Sequence, residues 1–116
     1  MRIGELAELT NVSVRSLRYY EQQGLLRSSR SPSSQRMFDA SSVDRVIQIQ
    51  ELFAAGMCSS KISDLLPCFD AEPDERTGML DQELVQHRVH LDEAIRDLRR
   101  ARATLNEVIV AAQASL

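Results

Sequence analysis

The chain has 116 residues, 43% of them hydrophobic, with no Trp, two Tyr, two Cys and a formal net charge of −3. That length suits about one small domain with an appended element. Cys58 and Cys68 are too few for a disulfide framework and lack the spacing of a zinc knuckle, and no apolar run is long enough for a signal peptide or a membrane span. A cytoplasmic protein with no membrane partner is therefore expected. The net charge conceals a split. Between Asn11 and Phe38 five arginines stand against the single acid Glu21, whereas Asp70 to Glu83 holds six acids against Arg76. A locally basic face attracts a polyanion whatever the sign of the total.

In chain order, Ile3, Leu6 and Ala7 recur at helical spacing and predict a first helix of about two turns, broken at Thr10-Asn11. Ser13 is a favoured N-cap type, and the helix it opens is predicted to run to Gly24, which takes a left-handed conformation at no steric cost. Two short helices around a tight turn make a helix-turn-helix. At about 100° per residue, Leu17 and Tyr20 share one side of the second helix, while Arg15, Arg18, Tyr19 and Gln22 share the other. The two adjacent tyrosines are thus expected to do different work: Tyr20 packs inward and Tyr19 faces outward. The outward face has the chemistry of duplex DNA recognition. Arginine pairs bidentately with guanine and neutralises phosphates, a tyrosine hydroxyl donates to a phosphate oxygen, and Ser13 places backbone N–H groups at a helix N-terminus.

Leu25 to Arg27 and Arg36 to Phe38 flank a serine-rich run containing Pro32. They predict a small hairpin with a mobile tip, with a plain linker as the alternative. As a hairpin, it adds Arg27, Arg30 and Arg36 to the basic surface as a wing. Ser41 is predicted to cap a third helix, with Asp44 completing a capping box, Val43, Val46, Ile47 and Phe53 as its apolar face, and Gly56 as its end. Ser59 starts a fourth helix, with Ile62, Leu65 and Leu66 inward and Pro67 closing it. Phe69 to Arg76 reads as an acidic connector.

After the connector the pattern becomes heptad. Leu84, Leu91, Leu98, Leu105 and Ala112 recur every seven residues, and Arg88, Ile95, Arg102 and Ile109 follow the first four of them by four. As d and a positions these form a coiled-coil seam. A helix from about Met79 to Ala114 cannot bury its own stripe, and a second copy is the simplest partner. The two seam arginines weaken the seam and set orientation or partner.

The stretch IGELAELTNVSVRSLRYYEQQGLL resembles the N-terminal signature of the MerR family of bacterial transcription regulators. The resemblance continues through Arg36 and Phe38, AAGMCSSKISDLL and the long terminal helix. It implies a mainly α fold: a winged helix-turn-helix domain with its helical linker over residues 1–70, and a coiled-coil dimerisation helix over 71–116. It also implies an antiparallel homodimer that binds a pseudo-palindromic promoter operator and distorts the spacer between promoter elements in response to a signal, acting on RNA polymerase indirectly. On this resemblance Arg15, Arg18 and Tyr19 contact DNA from the second helix and Arg36 contacts the backbone from the wing. The second wing strand departs from the family pattern, with Ser34-Gln35 where many relatives carry Gly-Tyr.

No cofactor, metal or catalytic constellation is expected. The long helix begins without the cysteine that metal-sensing relatives carry there, and the sequence holds neither their later cysteine loop nor a large effector domain. Cys58 and Cys68 read first as small buried apolar residues; the alternative is a thiol sensor, for which Cys58 lies just before a helix N-terminus. His87 and His90, three apart, read as solvated polar residues. The competing functional class is a DNA-architectural or coiled-coil adaptor protein that senses nothing.

Overall fold

The computed structural model describes residues 1–71 and 78–115. The chain forms two compact units, Met1–Arg76 and Thr77–Leu116. Residues 72–76 of the expected acidic connector lie outside the described residues.

The first unit carries α1 (Ile3–Thr10), α2 (Val14–Gln22), a two-stranded sheet of β1 (Ser29–Arg30) and β2 (Arg36–Met37), α3 (Ser41–Ala54) and α4 (Ser59–Asp70). α1 ends at Asn11, which adopts the left-handed conformation (φ 56°) and donates its backbone N–H to the Ala7 carbonyl. Asn is among the few non-glycine residues that take this conformation readily. Ser13 caps α2 as expected: its Oγ accepts from the Ser16 backbone N–H at 3.1 Å. Gly24 (φ 76°) and Gly56 (φ 84°) close α2 and α3 in the same manner. In each case the glycine N–H and the next N–H bond back to two carbonyls of the last helical turn: Gly24 to Glu21 and Leu25 to Tyr20, then Gly56 to Phe53 and Met57 to Leu52. This double closure needs a residue free to take positive φ, and the apolar residue that follows it packs inward. Leu25 and Met57 are both buried.

α1 packs against α2 and α3, and α4 packs on α3. Leu6, Leu17, Phe38, Val46, Ile49 and Ile62 are completely or almost completely enclosed. Tyr20 joins them: its ring stacks on Phe53 with centroids 5.7 Å apart, and its hydroxyl accepts from the Gln50 side chain.

Four local expectations are corrected. Leu25 and Leu26 belong to the core and not to a strand, so the hairpin is shorter and begins at Ser29. Burying the leucine pair removes more apolar surface from water than a two-stranded ladder would have covered. Within the tip, Ser34 N–H donates to Ser31 O and Ser31 N–H to Gln35 O, each at 2.8 Å. Ser41 is already inside α3; Asp39 accepts from the Ser41 and Ser42 hydroxyls instead. The Ser41 hydroxyl bond is the main reason the Asp39 carboxyl lies below its usual range. Any stability this ionised carboxylate contributes is present above the ordinary carboxylate pKa and lost as the pH falls through the depressed one. On α3 the buried positions are Ser42, Val46 and Ile49, and Ile47 is exposed. Finally, Pro67 lies inside α4, which continues to Asp70. Pro67 has no N–H for the preceding turn, yet its φ is helical, so one last turn forms beyond it.

The second unit is the single helix α5 (Gly78–Ala114), 37 residues and about 55 Å long at 1.5 Å per residue. Leu91, Ile95, Leu98, Leu105 and Ile109 of the predicted seam are all exposed in the single chain, Leu98 at 70%. Among the described residues no helix is long and apolar enough to cross a membrane.

Candidate nucleic-acid interface

Helix α2 presents the two faces expected of it. Leu17 and Tyr20 are buried, whereas Arg15, Arg18, Tyr19 and Gln22 are exposed. Tyr19 meets the edge of the Tyr20 ring at a centroid distance of 6.3 Å. The inner tyrosine thereby holds the outer one against the helix and limits its freedom.

The wing is joined to α2 by the one acid in the basic segment. Glu21 pairs through Oε1 with Arg36 Nε at 3.2 Å, and its other carboxylate oxygen accepts from the Ser28 hydroxyl. Across the hairpin Arg30 stands directly opposite Arg36, an arrangement that like charges disfavour. Each has its own acceptor: Arg36 has Glu21, and Arg30 donates through Nη1 to the Ser34 carbonyl at 3.0 Å. Ser34 reaches that position through a positive φ of 62°. Arg36 still exposes 43% of its side chain.

The chain's first residues complete the surface. Met1 and Phe38 exchange two backbone hydrogen bonds, at 2.6 and 2.7 Å, where β2 ends. This brings Arg2 beside the wing. Arg2, Ile3, Arg18, Arg30, Ser34, Gln35 and Arg36 line one open cleft of about 320 Å³ between α2 and the hairpin. Four arginines around one concavity raise the local anion concentration. Arg2 was not anticipated; it precedes a helix in sequence, and only the Met1–Phe38 pairing reveals its position. Of the residues expected on this surface, Arg18, Arg30 and Arg36 converge on the cleft, while Ser13, Arg15, Tyr19 and Gln22 lie on exposed α2 surface or its cap. Arg27 does not join them. It lines a separate groove of about 1160 Å³ with Asp39, Asp44, Arg45 and Asp70. In that groove Arg45 bonds Asp70, tying α3 to the end of α4.

The cysteines divide. Cys58 is exposed, against the expectation that both are buried, and Cys68 is half-buried. Cys58 occupies the N-cap of α4, where a side chain is directed out of the helix. A hydrogen bond with the Ser60 hydroxyl at 3.3 Å, and then the Lys61 backbone N–H, hold its thiol below the ordinary thiol range. Under limiting iodoacetamide at neutral pH, Cys58 is expected to be alkylated several-fold faster than Cys68. Equal rates by peptide mass spectrometry would contradict this. Among the described residues no three His, Cys, Asp or Glu side chains are placed to hold a metal ion.

The family model for MerR HTH regulatory proteins matches residues 1–67. The nodulation protein NolA of Bradyrhizobium elkanii is 40% identical over 105 residues, covering 90% of this chain and 42% of NolA. This chain thus spans less than half the length of that relative. Among solved structures, the transcription regulator PbrR691 of Ralstonia metallidurans CH34, in complex with lead(II), superposes with a TM-score of 0.74 at 29% identity, covering 94% of this chain and 83% of that one. HiNmlR, a MerR family regulator lacking the sensor domain and bound to promoter DNA, superposes at 0.65 over 97% of this chain and 89% of its own, with 21% identity that speaks to the fold alone. With its helix-turn-helix, two-stranded wing and long terminal helix, this chain belongs to the MerR HTH family of regulatory proteins.

Proposed function

We propose that this protein is a homodimeric transcriptional regulator that binds a pseudo-palindromic promoter operator and distorts the DNA between the half-sites in response to a signal, affecting RNA polymerase through the DNA. The observation that carries the reading is the exposed face of α2 merging with the arginine-lined cleft under the wing. In this reading Arg15, Arg18 and Gln22 face base edges, Tyr19 and Ser13 face phosphates, and Arg2, Arg30 and Arg36 hold the flanking backbone. Arg27, in the other groove, is left to a peripheral phosphate.

Dimerisation supplies the second half-site. Recognition helices of such dimers enter successive major grooves about 34–36 Å apart, a separation that needs a rigid spacer such as α5. The seam itself favours opposed helices. In a parallel pair each a residue meets its own copy, so Arg88 would face Arg88 and Arg102 would face Arg102. In an antiparallel pair every a residue meets a d residue, and both arginines lie against leucine, their stems packed and their charged ends turned to water.

The test is fluorescence anisotropy on a promoter fragment recovered by genome-wide footprinting. Arg18→Ala is expected to cost about 1–3 kcal/mol of binding, and Tyr19→Phe about 1 kcal/mol, with thermal stability unchanged in both. Wild-type affinity in Arg18→Ala would remove α2 from the interface.

A further inference from the structure

The pairing register of the two α5 helices is written in a pair of charges outside the seam. This inference rests on the proposed antiparallel dimer and deepens it. Asp92 and Arg99 each follow a seam leucine, Leu91 and Leu98, by one residue, and they lie seven apart on the same flank of α5. Both are exposed, and among the described residues neither is in an ion pair within its own chain. The other flank at the same height holds Ala94 and Ala101, which precede the seam residues Ile95 and Arg102. One side of the seam is thus small and uncharged, and the other carries one acid and one base.

In an antiparallel coiled coil the residues just after d positions meet their counterparts on the second helix, because reversing a helix brings like flanks together. Charges at these flanking positions set partner choice and orientation. We infer that the second copy of this chain pairs with Leu98 level with the partner's Ile95, and that Asp92–Arg99 ion pairs, formed twice by symmetry, select this register. In it, Asp92 stands two residues, about 3 Å along the axis, from the level of the partner's Arg99. Leu84 then meets the partner's Ile109, Leu91 meets the partner's Arg102, and Leu105 meets the partner's Arg88.

Slipping by one heptad either way preserves the seam but ruins the flank. With Leu98 level with the partner's Arg102, Arg99 faces the partner's Arg99. With Leu98 level with the partner's Arg88, Asp92 faces the partner's Asp92. Like charges so placed are disfavoured. On the opposite flank Ala94 meets the partner's Ala101, so the backbones approach without obstruction. The charged flank thus selects the register that the uncharged flank also accommodates.

Charge reversal in the full-length chain tests it by equilibrium sedimentation at about 50 mM and 1 M NaCl. Asp92→Arg and Arg99→Asp each convert two attractive pairs into two repulsive ones, and each is expected to raise the dimer Kd about tenfold at low salt. The double variant Asp92→Arg/Arg99→Asp exchanges the charges and is expected to return to the wild-type Kd. High salt should shrink the differences, since the charges are exposed. In either slipped register the homodimer already opposes like charges, and single reversal leaves them alike. A wild-type dimer whose Kd is unmoved by both single reversals would therefore overturn the register while leaving dimerisation standing. Single variants weakened without recovery in the double variant would overturn it too. A wild-type chain that sediments as a monomer would remove the dimer itself and the register with it.

Discussion

Leu98→Asp is expected to yield monomers in sedimentation equilibrium and to weaken operator binding by about 10²–10⁴-fold, the gain that linking two recognition units confers. Leu98 lies near the middle of α5 and is 70% exposed in the single chain. In the proposed pair it is enclosed between the helices, and the symmetry places two copies close together near the centre. Aspartate there would bring two carboxylates into an apolar seam, where an unpaired charge is strongly disfavoured. The layers flanking this central pair each carry an Arg102, with Arg88 one layer further out, so the seam has little apolar surface to spare. The DNA-binding unit should be untouched, since its core draws on none of these residues. Thermal melting of that unit distinguishes lost pairing from lost folding, and a Leu98→Asp chain that remains dimeric would refute the seam.

Tyr20→Ala is expected to lower the stability of the first unit by about 3 kcal/mol, the usual cost of removing a buried aromatic ring. That is roughly 12 °C or more in Tm for a domain of this size. Tyr20 is 5% exposed, stacks on Phe53, receives the Gln50 amide and supports the Tyr19 ring edge-on. Its removal leaves a cavity between α2 and α3 and frees Tyr19. DNA affinity should fall only as far as the folded fraction falls and Tyr19 gains freedom. The contrast with Tyr19→Phe is the informative comparison: two adjacent tyrosines, one affecting melting and the other affecting binding. A Tyr20→Ala variant that melts like wild type and fails to bind would reverse the assignment of the two helix faces.

Much of this was legible in the residues because the signals are local. Helical spacing, the Ser13 cap, Asn11 and the closing glycines at 24 and 56 act over one or two turns, and backbone sterics allow few alternatives. The two faces of α2 follow from a fixed rotation per residue, and the heptads of α5 from a fixed repeat. What escaped was decided by competition between distant segments. Leu25 and Leu26 have the composition of a strand, but the core took them. Ile47 was expected on the apolar face of α3, yet the packed unit encloses Ile49 and leaves Ile47 exposed. Arg2 entered the cleft because Met1 pairs with Phe38, 37 residues away, and Arg27 left it because the leucines before it turned inward. Glu21, counted in the sequence only as the single acid among five arginines, is the tie between helix and wing. Short-range patterns specify which elements form; which side chains then share a surface depends on burial and long-range hydrogen bonds, and those exist only once the elements have packed.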